Sequence, residues 1–165
     1  MNKFKTILLL FTVLMNSNLI AQQNDKTLDF WIGKWDAYWN DSLKGTNQIN
    51  VTMNGYIVEE NFSTNDGTFT GKSWSAFDSV TNLWKQTWVD NSGAYMTFAG
   101  GGEGNKVILN MIEARKNKSN KNYYMRMVFS DINDDQFEWN WQSSVDKISW
   151  KPAWTIHYKR AESKE

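Results

Sequence analysis

Tryptophan recurs at even spacings on segments that alternate apolar and polar side chains, and this spacing restricts the fold more than any other feature of the chain. Trp35 and Trp39, Trp84 and Trp88, and Trp139 and Trp141 form three such pairs. On a pleated strand, residues two or four apart point to the same side, so each pair shares a face. Such a face is wide and apolar, with an indole N–H at its edge that needs a partner. The chain carries 10 tryptophans in 165 residues. A face built this way is either the packing of a β-barrel or the lining of a pocket.

The alternation continues through most of the chain after residue 21, interrupted at short intervals by turn residues. It predicts strands over 35–40, 46–53, 56–63, 68–77, 83–90, 94–100, 106–114, 122–130, 136–142 and 153–160. Asn54-Gly55 has the residue types of a tight primed turn, while Asn65-Asp66-Gly67, Asn91-Ser92-Gly93 and Gly100 to Gly104 supply positions that tolerate positive φ. About ten short consecutive strands leave no room for crossover helices, so the expected fold is all-β, an antiparallel up-and-down meander. A meander this long exposes two edges, which closure into a barrel removes. The one helical candidate precedes the first strand: Thr27 or Asp25 as cap, a turn through Leu28, Asp29, Phe30 and Trp31, and Gly33 as its end. It is expected to form a short N-terminal helical lid on the barrel. Pro152 stands before the last strand, where its missing N–H removes no ladder bond.

Residues 1–21 read as a signal peptide. Lys3 and Lys5 make a basic start, Ile7 to Met15 an apolar run interrupted by Thr12, and Asn16-Ser17-Asn18 leads to Ala21-Gln22. The run is too short to cross a bilayer and fits a cleavable signal better than a stable anchor. Cleavage after Ala21 leaves 22–165 as a single domain in the periplasm or outside the cell. The chain has no cysteine, so an exported domain must draw its stability from its core rather than from disulfides. Removing Lys3 and Lys5 takes the 18 basic residues to 16 against 18 acidic ones, a formal charge of −2. That balance gives no attraction for nucleic acid or an anionic membrane.

The stretch Phe30-Trp31-Ile32-Gly33-Lys34-Trp35 places a Gly-x-Trp just before the first predicted strand, as at the opening of lipocalin-like barrels. With Trp84-Lys85-Gln86-Thr87-Trp88-Val89-Asp90-Asn91-Ser92-Gly93 and a closing Tyr158-Lys159-Arg160, most of the chain resembles a family of small exported bacterial lipocalin-like proteins of unassigned function. The resemblance implies a barrel. Its motifs are structural and bring no catalytic residue with them. It also implies that Trp35 packs across the barrel floor with Arg160 stacked upon it.

Most reaction chemistry lacks the residues it needs. With no cysteine and one histidine, a zinc site would have to be built from carboxylates, and no metal or other cofactor is expected. Asp131, Asn133, Asp134 and Asp135 lack the closing glutamate of a calcium loop. There is no Gly-x-Ser-x-Gly elbow, and Gly100 to Gly104 lacks the Lys-Ser/Thr of a phosphate loop. Related-looking barrels of another branch, the nitrobindins, bind haem through a histidine. Here His157 alternates with Thr155 and Lys159 and reads as a surface or cavity-rim residue. Two acids sit on apolar faces: Glu113 with Val107, Leu109 and Met111, and Glu60 with Tyr56, Val58 and Phe62. Such an acid either reaches water at a strand end or is buried with a partner, and burial raises its pKa.

Two functions fit these residues. The first is a binding module whose pocket combines Trp74, Trp84, Trp88, Trp139 and Trp141 with the polar groups of Gln86, Tyr124 and Arg126, for a carbohydrate fragment or a small apolar metabolite. The second is a lyase or dehydratase acting on uronate-containing oligosaccharides. Arg126 would clamp the carboxylate, and Tyr124, His157 or Tyr158 would serve as base or acid. Both readings place Arg126 in the cavity beside Tyr124. Alternation leaves the face open, because Tyr123, Met125, Met127 and Phe129 form an even more apolar row on the same strand.

Overall fold

The computed structural model describes residues 25–162. The expected signal peptide, residues 1–21, lies outside the described residues. Eleven strands follow one another: β1 (Gly33–Trp39), β2 (Ser42–Thr52), β3 (Ile57–Thr64), β4 (Thr70–Asp78), β5 (Leu83–Asp90), β6 (Tyr95–Glu103), β7 (Lys106–Met111), β8 (Arg115–Lys116), β9 (Asn122–Ser130), β10 (Gln136–Ser144) and β11 (Lys151–Arg160). Each pairs antiparallel with its neighbour, except that β7 passes over the two-residue β8 to pair with β9. β1 pairs with β11, with Trp35 opposite Arg160, and this closes ten strands into an up-and-down barrel.

The hairpins explain where strands begin and end. Asn40 and Asp41 both take positive φ, 51° and 56°, the geometry of a two-residue primed turn whose twist suits its strands. That turn brings Trp39 opposite Ser42, so β2 starts four residues before the apolar alternation that marks it in the sequence. Pro152 lies inside β11, opposite Gln142, at a register shift where the ladder is already irregular. Before β1 stands one 3-10 turn, Asp29–Trp31, without a side-chain cap, in place of a longer helix.

Inward faces carry Trp35 and Ala37 on β1, Val58, Glu60 and Phe62 on β3, Phe137 on β10 and Ile156 and Tyr158 on β11, all buried. Ten strands enclose more space than the roughly eight whose side chains fill a barrel completely. Large aromatic residues take up that space at one end. Phe30, Trp31, Phe129 and Phe137 meet edge to face or tilted, with centroids 5.3 to 5.9 Å apart. Trp35 completes this floor at 4.8 Å from Phe137. The turns at 53–56, 79–82, 104–105 and 131–135 surround the floor. The opposite end is bounded by those at 40–41, 65–69, 91–94 and 145–150.

Arg160 holds the floor together. Its guanidinium lies 4.1 Å above the Trp35 ring and donates to the carbonyls of Asp134, Ile32 and Phe30. Trp35 in turn donates its indole N–H to the Trp31 carbonyl at 2.7 Å. Gly33 is required beside them: its φ is +129°, and a Cβ there would sit 2.5 Å from the Arg160 guanidinium. Trp35→Ala should therefore destabilise the protein by about 3–5 kcal/mol, as for other large buried aromatics. Arg160→Ala should cost less, and the two losses should fall short of additivity because the residues touch. Denaturant unfolding of both single variants and the double variant measures this; additive losses would show the two side chains to be uncoupled.

Candidate functional site

A cavity of about 210 Å³ opens at the end opposite the floor, lined by Trp31, Glu60, Phe62, Phe69, Trp88, Asp90, Met96, Phe98, Met127, Phe129, Trp139, Trp141, Trp154, Ile156 and Tyr158. Its lining includes five indoles, that of Trp31 at the floor, and several phenyl rings. Trp139 and Trp141, two apart on β10, stack parallel with centroids 6.2 Å apart. Trp154 meets Trp139 edge-on at 5.7 Å, and Phe98 meets Trp141 at 5.8 Å. On the far wall Trp88 stacks on Phe69 at 6.4 Å. Gly71 makes room for it, since a Cβ at that position would lie 2.1 Å from the indole. Trp88 is also anchored by its N–H, which donates to Asp90 Oδ2 at 2.9 Å. The other Asp90 oxygen accepts from Ser92 and Ala94 and so shapes the β5–β6 turn at the mouth.

One acid lies deep in this aromatic space. Glu60 is 7 % exposed; its Oε1 accepts from Asn47 Nδ2 at 2.7 Å and its Oε2 from Ser73 Oγ at 2.6 Å. Burial pushes its pKa up to about 7, and the two hydrogen bonds oppose that rise without cancelling it. Tyr158 shares the cavity wall, and burial, then the Glu60 charge, raise its pKa as well, so it remains a neutral phenol. Further along the same side, Gln86 Nε2 donates to Ser75 Oγ at 3.1 Å. Asn47, Glu60, Ser73, Ser75 and Gln86 form a polar band across four adjacent strands, β2 to β5.

The structure brings together some of the expected site residues and separates others. Trp88, Trp139, Trp141 and Tyr158 line the cavity. Trp84 points inward but belongs near the floor, where its N–H donates to Asp25 at 2.9 Å and its ring borders a separate, polar cleft. Gln86 is buried in the polar band and does not reach the cavity wall. Trp74 alternates with the inward Ser73 and Ser75 and is on the outer face, 39 % exposed.

Arg126 requires a correction. The row Met127 and Phe129 faces inward, which puts Arg126 on the outer wall. There it donates to Gln142 Oε1 at 2.8 Å and stacks on Trp150 at 4.1 Å. Tyr124 is on the same outer face under Lys147 at 4.4 Å, and His157 is exposed, 3.5 Å from Glu138. None of the three lines the cavity. The physical reason is the β10–β11 loop, which folds Lys147 and Trp150 back over the outside of β9, so both faces of that strand pack against side chains. Glu113 likewise lies beyond the end of β7, exposed, and Arg115 is in the short β8.

No family model matches the chain, and no curated protein matches it either. Geometry therefore carries the functional reading, and Glu60 is its most distinctive element. Folded Glu60 keeps its proton up to about pH 7, whereas its ordinary pKa is 4.5. Between these values the folded state binds more protons than the unfolded one, so stability falls as pH rises through the window and levels off above it. A shift of this size corresponds to about 3 kcal/mol. Glu60→Gln should remove that slope. The difference between the two proteins isolates Glu60 from Asp66, Asp78 and Asp146, whose hydrogen bonds hold them below the usual carboxylate range. Denaturant unfolding of both proteins across the window measures it, and parallel pH profiles would contradict a buried, proton-holding Glu60.

Proposed function

We propose that the protein binds one small, largely apolar ligand in the aromatic cavity, as an exported barrel of lipocalin-like type. The observation that carries this reading is the unfilled mouth end of a barrel whose other end is plugged by aromatic side chains. The cavity wall offers ring faces from Trp88, Trp139, Trp141 and Trp154 but few hydrogen-bonding groups. A sugar, with a hydroxyl on most carbons, would leave many of them without partners there, and each unmet group weakens binding. A compact apolar or aromatic metabolite fits better. At about 210 Å³ the space is smaller than the roughly 300–1,000 Å³ typical of drug-sized sites, which favours a fragment-sized ligand. The basic and apolar start of the sequence supports export, and the Asp29–Trp31 turn serves as the barrel's N-terminal cover.

The uronate-lyase alternative loses its support from geometry. It needs a cation in the cavity to neutralise a carboxylate. Arg126 is outside, and among the described residues no lysine, arginine or histidine lines the cavity.

N-phenyl-1-naphthylamine, a neutral probe that brightens in apolar surroundings, should bind, and cellobiose should not displace it. Trp141→Ala should weaken probe binding by about tenfold, the loss of one aromatic contact of roughly 1.4 kcal/mol. Trp74→Ala, on the outer face, should leave it unchanged. Fluorescence titration, with melting curves to confirm folding, measures both; equal losses in the two variants, or no probe binding at all, would contradict the assignment.

A further inference from the structure

The cavity is electrically one-sided. Two carboxylates lie on its wall, Glu60 at mid-depth and Asp90 at the mouth, with no cationic side chain among the lining residues described. Asp90 is committed to Trp88 and to the turn. Glu60 is not surrounded in the same way. Asn47 and Ser73 occupy one acceptor position on each of its oxygens, and a carboxylate oxygen has two. The groups that face it from other strands are Asn47 on β2, Ser73 on β4 and, from across the barrel, Tyr158 on β11, all uncharged.

The aromatic walls have the same preference. The face of an indole is the negative end of its quadrupole and attracts cations, most strongly where water is excluded. Trp88, Trp139, Trp141 and Trp154 line this space together with Glu60. We propose that the cavity selects an organic ammonium ion: a compact apolar body held among the indoles, with its positive nitrogen beside Glu60. This rests on the reading that the cavity is a binding site, and it names the ligand's charge. An anionic ligand would meet two carboxylates and no counter-charge, so the same geometry rejects it. The raised pKa of Glu60, about 7, adds a signature. A bound cation favours the ionised carboxylate, so binding releases a proton and affinity rises with pH through this range. Asp90 and Tyr158 are the other titratable groups on the wall. Asp90 is set among hydrogen-bond donors and Tyr158 stays neutral.

Phenyltrimethylammonium and tert-butylbenzene form a suitable pair of probes, having the same shape and differing by one positive charge. Titration of the full chain, followed by calorimetry, should give at least about tenfold tighter binding of the cation at pH near 8, equivalent to roughly 1.4 kcal/mol. The preference should shrink towards pH 5 and shrink likewise in Glu60→Gln, where the indole faces and Asp90 alone still favour the cation. Equal binding of the two probes, or a preference undiminished in Glu60→Gln, would overturn the assignment of the cation to Glu60 and leave the cavity-binding reading standing. Binding of neither probe would overturn both. The wild-type pH dependence is a second, independent readout: a preference that does not change between about pH 5 and 8 removes Glu60 from recognition whether or not the variant folds.

Discussion

The contact between Arg160 and Trp35 is where the barrel becomes a barrel. A meander has two free edges, and closing it requires the last strand to find the first in one register. Here the last residue of β11 stacks on the third residue of β1. The same guanidinium reaches carbonyls before β1 and in the β9–β10 loop. One side chain thus joins the start, the end and a loop of the fold at a single point. A lysine could not do this, because the planar guanidinium stacks on the indole while its edge donates in several directions.

Closure at that end determines what the other end can be. With Trp31, Trp35, Phe129 and Phe137 packed over the floor, the space that ten strands enclose is left at the mouth, under the turns at 65–69 and 91–94. Trp88, Trp139, Trp141 and Trp154 line it. The polar band from Asn47 to Gln86 runs along one side. Burial of an acid in such surroundings carries a stability penalty unless it is protonated or paired. Glu60 is held by only two neutral donors, and its proton affinity is raised accordingly. Replacing it with an apolar residue would serve a core better, so its presence accords with the binding role proposed for the cavity.

Much of the architecture was legible because period-two alternation and hairpin residues report directly on strands. The barrel, the closing strand and the inward pairs Trp84 with Trp88 and Trp139 with Trp141 follow from spacing. Depth along the barrel axis does not: Trp84 and Trp88 share a face, yet one borders a cleft near the floor and the other lines the cavity. Nor does alternation say which face is inward when both are covered. The sequence neighbours of Arg126 and Tyr124 suggest an inward face, while Trp150 and Lys147, from a loop that lies far along the chain, cover them from outside. Phe69, a cavity residue, falls within the strand predicted over 68–77, but the folded chain places it in the connection before β4, where alternation does not fix its direction. Glu60 stood out as an acid on an apolar face, but its partners Asn47 and Ser73 come from strands whose register only the folded sheet reveals.

The most direct measurement is a crystal of the protein soaked in iodobenzene, whose iodine can be located by its anomalous scattering. An occupied site between Trp88, Trp139, Trp141 and Trp154, reached from the mouth, is the expected result. Iodine found only on the outer face, or only in the polar cleft beside Trp84, would show that the aromatic end of the barrel is closed packing and not a binding site.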